Sequence, residues 1–223
     1  MPSLFRYLPE EYLDAFVKRG EILFRSLSYY RDYENDGVRG DHFEGTRVHR
    51  PDDGLKAIDA SGKPIIFLPN QNFESKADED HIYVSCMSTE CEADLATKFR
   101  TNVCVEIQNT DRFIERLAKA ISKVLGKNIS KQLVYGPVTY YTYNEKPMGD
   151  WALPEKIALS KLTDFIWQKE FRIAFPTNGA FDVYNVKVKV VSADMHQPSK
   201  QISYAKMIYS LGDLSALCKI HRF

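Results

Sequence analysis

The chain has 223 residues and a mass of 25.7 kDa, with 44% hydrophobic and 13% aromatic residues. That is enough apolar side chain for one sizeable core, which excludes the disordered, collagenous and disulfide-scaffold classes. The net charge is zero, yet residues 1–94 hold 11 Lys/Arg against 19 Asp/Glu and residues 95–223 hold 19 against 11. A uniformly basic DNA-coating domain is therefore excluded, whereas a local basic groove is not. The longest apolar runs are a few residues, too short to span a bilayer. The first residues, Met1 to Leu13, become charged almost at once, unlike a signal peptide. Cys86, Cys91, Cys104 and Cys218 follow no framework spacing, as expected of a protein in the reducing cytoplasm.

In chain order, Leu4-Phe5-Arg6-Tyr7 reads as a strand. Pro9-Glu10-Glu11 opens a helix with Tyr12, Leu13, Phe16 and Val17 on its apolar face and Gly20 at its end. Ile22–Ser26 is a second strand, and Ser28 caps a short helix through Tyr29, Tyr30 and Tyr33. Residues 34–81 are polar, acidic and glycine-dotted, and read as a long loop-rich insertion with one strand at Ile65–Leu68. Strands at Ile82–Met87 and Val103–Ile107 flank a helix from Glu92 to Arg100. A longer helix follows from about Asp111 to Leu125, then a strand at Val138–Tyr143. Pro154 opens a helix carrying Ile157, Leu159, Leu162 and Phe165 towards Trp167. Strands at Phe171–Phe175, Phe181–Val191 and Lys206–Tyr209 precede a short helix from Asp213. The order is α+β in a single domain of residues 1–223, without a regular βαβ alternation.

There is no glycine-rich dinucleotide loop, no Walker-type loop, no His-Glu-x-x-His and no nucleophile elbow. His81, Cys86 and Cys91 have four residues between neighbours, but Ile82–Met87 reads as a strand whose alternate residues diverge. No metal site is expected. What stands out is a polar residue on, or at the edge of, three apolar strands. Arg6 lies among Leu, Phe and Tyr; Ser26 ends a strand of Ile, Leu and Phe; Glu170 begins one of Phe, Ile and Phe. Such a residue faces solvent by alternation or is aimed into a cleft.

These segments together resemble the ADP-ribosyltransferase superfamily, closest to a bacterial family of small domains, some of them encoded in phage-defence and toxin–antitoxin loci. The matching residues are Leu4-Phe5-Arg6-Tyr7, the helix ending at Arg19-Gly20, the strand running into Ser26-Leu27-Ser28-Tyr29-Tyr30, Asp41-His42-Phe43-Glu44-Gly45, then Lys161, Trp167 and Lys169-Glu170-Phe171-Arg172-Ile173. The resemblance implies a split β-sheet with flanking helices that clamps NAD+ in its cleft. It implies Glu170 as the catalytic carboxylate and Arg6, Tyr7, Ser26, Tyr29 and Tyr30 as cofactor-binding residues. Ser26 and Ser28 remain alternatives for the second motif, as do Tyr29 and Tyr30. Breaking the nicotinamide–ribose bond passes through an oxocarbenium-like state that a carboxylate stabilises, and an Arg fork matches phosphate oxygens. Aromatic rings suit stacking on nicotinamide. Family context implies a toxin or anti-phage effector, an acceptor that is nucleic acid (RNA or single-stranded DNA) or protein, and a cognate antitoxin as a partner. An NAD+ glycohydrolase and a non-catalytic binding module are the alternatives.

Arg112, Arg116, Lys119, Lys123 and Lys127 recur at spacings of four, three, four and four beside the apolar Phe113, Leu117, Ala120, Ile121 and Val124. This reads as a basic stripe on one helix side, either a solvated face or a phosphate-contact strip for nucleic acid. Tyr140, Tyr141 and Tyr143 are candidate stacking residues for an unpaired base, or ordinary strand residues.

Overall fold

The computed structural model describes residues 1–32, 41–193 and 206–223. Its strands are β1 (Leu4–Leu8), β2 (Glu21–Ser26), β3 (Thr46–His49), β4 (Leu55–Ile58), β5 (Pro64–Leu68), β6 (Gln71–Lys76), β7 (Ile82–Ser88) and β8 (Val103–Ile107). They continue with β9 (Val134–Pro137), β10 (Thr139–Tyr141), β11 (Ser160–Leu162), β12 (Glu170–Pro176), β13 (Lys187–Ser192), β14 (Lys206–Ser210) and β15 (Cys218–Arg222). The helices are α1 (Leu13–Val17), α2 (Leu27–Asp32), α3 (Ala93–Lys98), α4 (Thr110–Leu125) and α5 (Pro154–Ala158). The architecture is α+β, built on antiparallel strands with few helices.

The main sheet runs β14-β2-β7-β1-β8-β15, with β12 on β7 and β9 on β12. Strand β12 pairs with β7 along its whole length, from Glu170 opposite Ser88 to Pro176 opposite Ile82. The other edge of β7 is shared. Tyr83 and Val84 pair with β2, and Ser88 pairs with Phe5 of β1. Between these contacts Ser85, Cys86 and Met87 have no strand partner on that edge, so β1 and β2 diverge and the sheet forks. Arg6 reaches into the fork and donates to the Cys86 carbonyl.

Strand alternation sorts the two faces. Phe171, Ile173 and Phe175 of β12 pack with Leu4, Phe24, Val105 and Ile107 against Phe113, Leu117 and Ile121 of α4. Phe24, Phe175, Tyr83 and Tyr209 form an aromatic knot, with centroids 5.1 Å apart for Phe24–Phe175 and 5.7 Å for Tyr83–Phe175. Each fully buried ring contributes roughly 1.5–3 kcal/mol of transfer free energy. On the opposite face Ile82, Val84 and Ala174 pack on Leu27, Ile157 and Ala158. Glu170 and Arg172 share that second face by the same alternation. No helix among the described residues is long and apolar enough to cross a membrane.

The expected elements up to α4 are found within a residue or two, except around α1, where a 3-10 turn at Glu10–Tyr12 precedes a short helix. Gly20, at φ 61°, ends that segment. Tyr33 and residues 34–40 lie outside the described residues. The rest of the loop-rich insertion is corrected: residues 41–81 hold β3, β4, β5 and β6, with β6 paired to β3 and β13. Strand β6 buries Asn72, Glu74 and Ser75, so apolar alternation could not announce it. The helix expected from Pro154 towards Trp167 is also corrected. It stops at Ala158, β11 pairs in parallel with β10, and a 3-10 turn spans Thr163–Gln168. Ile157, Leu159, Leu162 and Phe165 are spaced two, three and three apart, which no continuous helical face satisfies. The short helix from Asp213 is only a 3-10 turn at Ser215–Leu217, followed by the unexpected edge strand β15.

Gly45 is the glycine on which the site leans. Its φ is 77°, and a Cβ there would sit 2.9 Å from the Glu79 Cβ. Gly45→Ala combines left-handed backbone strain of about 1–2 kcal/mol with that overlap. The expected outcome is a melting temperature lower by about 4 °C or more. An unchanged melting curve would show that the turn yields without cost.

Candidate active site

A cleft opens at the fork, lined by Phe5, Arg6 and Tyr7 of β1, Tyr30 of α2, Cys86, Met87 and Ser88 of β7, Phe99, and a group of polar and charged residues. That group is Glu44, Lys161, Gln168, Glu170 and Arg172. The cleft holds a cavity of about 110 Å³ that is open at its mouth, smaller than the roughly 300–1,000 Å³ common to small-molecule sites. Three cations (Arg6, Lys161, Arg172) face two carboxylates (Glu44, Glu170) in the lining, an excess of one positive charge suited to an anionic ligand.

Each of these residues arrives by a local device. The turn at 41–45 is an Asx turn in which Asp41 Oδ1 accepts from the Phe43 N–H at 2.9 Å, and Gly45 closes it beside Glu44. Strand β11 directs Lys161 inward by pairing opposite Tyr140 of β10. Lys169 adopts φ 47°, turning the chain sharply from the 3-10 segment into β12 so that both Gln168 and Glu170 are buried. Glu170 and Arg172, two apart on β12, then share one face.

The result is a buried ion network. Arg172, 1% exposed, donates through Nη1 and Nη2 to Glu44 at 2.6 and 2.8 Å and through Nε to Glu170 Oε1 at 2.7 Å. Its Nη1 also donates to the Ala158 carbonyl at 2.9 Å. Lys161 donates to Gln168 Oε1 at 2.8 Å and to Glu170 Oε2 at 3.3 Å. The second Arg172 contact to Oε2 is 3.5 Å, so Oε2 is the more loosely held oxygen of Glu170. The Glu170 N–H donates to the Tyr140 hydroxyl at 2.9 Å.

Burial alone would push the Glu170 carboxyl up. The Arg172 and Lys161 cations outweigh it and hold the group at about 2. Glu170 is therefore an anion at physiological pH, fitted to accept a hydrogen bond or offset positive charge rather than to donate a proton. Cys86 takes the opposite course: burial, and then the Glu170 charge, push its thiol to about 12, so it stays protonated beside the carboxylate. Burial likewise drives the Tyr30 phenol well above its ordinary value.

Of the residues singled out from sequence, Arg6, Tyr7, Tyr30 and Glu170 line one cleft. Tyr7 presents only its ring there, because its hydroxyl accepts from the Glu92 N–H at 2.7 Å and donates to the Glu90 carbonyl at 3.1 Å. Ser26 and Tyr29 do not line the cleft. The Ser26 hydroxyl is buried against Ser28 Oγ at 2.9 Å and caps the first turn of α2 by accepting from the Tyr29 N–H. Tyr29 stacks edge-on against Tyr30 and under the Arg25 guanidinium. Tyr141 is not free to stack on a base, since it is buried with its hydroxyl between Thr46 and Val48 of β3. Among the described residues no three His, Cys, Asp or Glu side chains gather where they could hold a metal ion.

The basic stripe is not brought to the cleft. Helix α4 packs against the sheet face of Phe171 and Ile173, opposite the face of Glu170 and Arg172. Arg112, Lys119, Lys123 and Lys127 are exposed, but Arg116 donates to the Leu211 carbonyl and Lys119 pairs with Glu115 at 2.6 Å. Lys127 lies beyond the C-cap Gly126, outside the helix. Ile114 belongs to the buried face, whereas Val124 is exposed.

Glu44, Gln168 and Arg172 were not assigned a role from sequence, nor was Lys161. The signal for Arg172 was its i+2 spacing from Glu170. The signal for Glu44 was an acidic residue just before a glycine that needs a left-handed backbone. Comparison of the chain with protein-family models, curated proteins and solved structures finds no match.

Asp41 offers a test of the local electrostatics. Burial, then the nearby Glu44, raise its carboxyl to about 6. A raised carboxyl binds a proton in the native state that the unfolded chain lacks, so it loses stability as pH climbs from about 4 through 6. Asn keeps the oxygen that accepts from Phe43 and has no charge to bury. Asp41→Asn is expected to stabilise the fold by about 1–3 kcal/mol at about pH 7.5 and by little at about pH 4. Urea melts at the two pH values measure this, and an equal effect at both would refute it.

Proposed function

We propose that the chain is an NAD+-dependent ADP-ribosyltransferase. The observation that carries this is the meeting of Arg6 and Glu170, 164 positions apart in the chain, in one cleft at the fork of an antiparallel sheet, with the Tyr7 and Tyr30 rings beside them. The forked sheet also supports the split-sheet, ADP-ribosyltransferase-like form of the fold that the resemblance implies.

In this reading the Arg6 guanidinium takes a phosphate of NAD+ and the Tyr30 ring holds nicotinamide. A ribose hydroxyl donates to Glu170 Oε2, the loosely held oxygen. The bond between the ribose carbon and the nicotinamide nitrogen breaks with its electron pair on nitrogen, which leaves as neutral nicotinamide. The oxocarbenium left behind is offset by the Glu170 anion. An acceptor nucleophile then forms the new bond at that carbon and releases its proton. The acceptor proposed is RNA or single-stranded DNA, and the role a bacterial toxin or anti-phage effector restrained by a cognate antitoxin, on the family resemblance alone.

A second reading is favoured by the ion network itself. Glu170 is already paired with Arg172 and Lys161, so the cluster also suits a non-catalytic module that keeps the network for its fold. The two part on Glu170→Gln. As catalytic carboxylate, its loss lowers nicotinamide release about 10²–10³-fold with NAD+ affinity little changed. Arg6→Ala instead weakens NAD+ binding. Single-turnover nicotinamide release beside a binding titration measures both. No release from the folded parent leaves the binding module, and an unchanged rate in Glu170→Gln removes Glu170 as the catalytic carboxylate. Release without labelled macromolecule makes the protein a glycohydrolase.

The stripe has its own test. Replacing the exposed Arg112 and Lys123 by Glu should weaken RNA binding across sequences and flatten the log–log salt dependence by about 1.4 or more. NAD+ binding should be unaffected, because α4 lies across the sheet from the cleft. An unchanged salt slope makes the stripe a solvated face.

A further inference from the structure

We infer that Lys161 is a positioning residue whose ammonium keeps Glu170 ionised and directed into the cleft, so that removing it turns a pH-insensitive site into one switched off by weak acid. The inference rests on the reading of Glu170 as the catalytic carboxylate.

The geometry carries it through a charge count. Arg172 lies between two carboxylates, and its Nη1 and Nη2 are taken by Glu44, leaving Nε for Glu170. One guanidinium between two buried carboxylates leaves one negative charge. Lys161 is the second cation in contact with Glu170, at 3.3 Å, and also lies 3.9 Å from Glu44 Oε2. It is held there on three sides: Gln168 Oε1 accepts from it at 2.8 Å, the Phe165 ring lies beneath it at 4.5 Å, and the pairing of β11 with β10 fixes its backbone. The other groups around Glu170 do not replace its charge. From β7 comes the protonated Cys86 thiol, from β10 the Tyr140 hydroxyl and from α2 the Tyr30 phenol. Arg6 of β1 is held at the fork on the Cys86 carbonyl, and Asp41 adds an acid rather than a cation. Without Lys161, burial regains the upper hand and a proton settles on the carboxylate pair.

The test compares the parent with Lys161→Met, which keeps the apolar stem, and Lys161→Arg, which restores the charge. In the parent, kcat for nicotinamide release should change less than about twofold between about pH 9 and pH 6. In Lys161→Met it should fall tenfold or more over that range, with KM for NAD+ within about threefold of the parent. Lys161→Arg should recover the flat profile. A purely structural lysine would lower activity equally at every pH. The second readout needs no activity. Infrared titration of the NAD+-free protein, with Asp41→Asn as the common background to remove the carboxyl that titrates at about 6, should reveal a protonated buried carboxyl near neutral pH on adding Lys161→Met, absent with Lys161 in place and lost again when Glu170→Gln is added. Should Lys161→Met lack a native melting transition, Lys161→Gln takes its place. A flat profile in Lys161→Met, or no new carboxyl band, overturns the inference. A parent that releases no nicotinamide overturns the assigned activity, while the infrared titration still decides the role of Lys161.

Discussion

The Arg172 guanidinium is the interaction on which the site depends. It is almost wholly removed from solvent and ties three separate parts of the chain together: the 41–45 turn through Glu44, the end of α5 through the Ala158 carbonyl, and its own strand through Glu170. A buried ion in isolation costs several kcal/mol, and only a full set of hydrogen bonds offsets that. Here each donating atom of the fork has an acceptor, and the geometry is bidentate where it meets Glu44. The arrangement specifies where Glu170 points more than it adds stability.

The fork in the sheet supplies the other constraint. Strand β7 is fully paired with β12 on one edge but shared by β1 and β2 on the other. The unpaired stretch Ser85–Met87 would leave backbone groups unsatisfied, and Arg6 answers one of them at the Cys86 carbonyl. The gap thus brings a cation from the first strand of the chain alongside a carboxylate from the twelfth. The apolar core lies on the opposite face, where the Phe175 cluster and α4 hold the half-sheet rigid beneath the cleft. Functional side chains mounted on paired strands are held more exactly than loops allow.

Charge distribution follows from this layout. The chain's acidic first half and basic second half meet inside the cleft. The acidic half provides Glu44, the basic half provides Glu170, Lys161 and Arg172, and these two anions and two cations neutralise one another there. The remaining basic residues of α4 lie on the far side of the sheet, so the two positive regions of the molecule serve different surfaces.

The sequence by itself determined most strands of the main sheet and the helix that packs on it, though not the edge strands β9 and β15. β1, β2, β7, β8, β12 and α4 carry strong apolar periodicity, which is a local property of each segment. It also marked Arg6 and Glu170, since a charged residue beside an apolar run is visible without knowing its neighbours. It did not determine that Ser26 caps α2, that β6 is a strand with buried polar residues, or that the stretch after Pro154 breaks to form β11. The Ser26 cap is local, to the Tyr29 N–H three residues on, and is set by where α2 begins, whereas the last two depend on partners distant in the chain, β3 and β13 for β6 and Tyr140 for β11. The ion network was beyond sequence for the same reason. Glu44 and Arg172 stand far apart in the chain, and the pairing energy that justifies burying either charge exists only once both have left water.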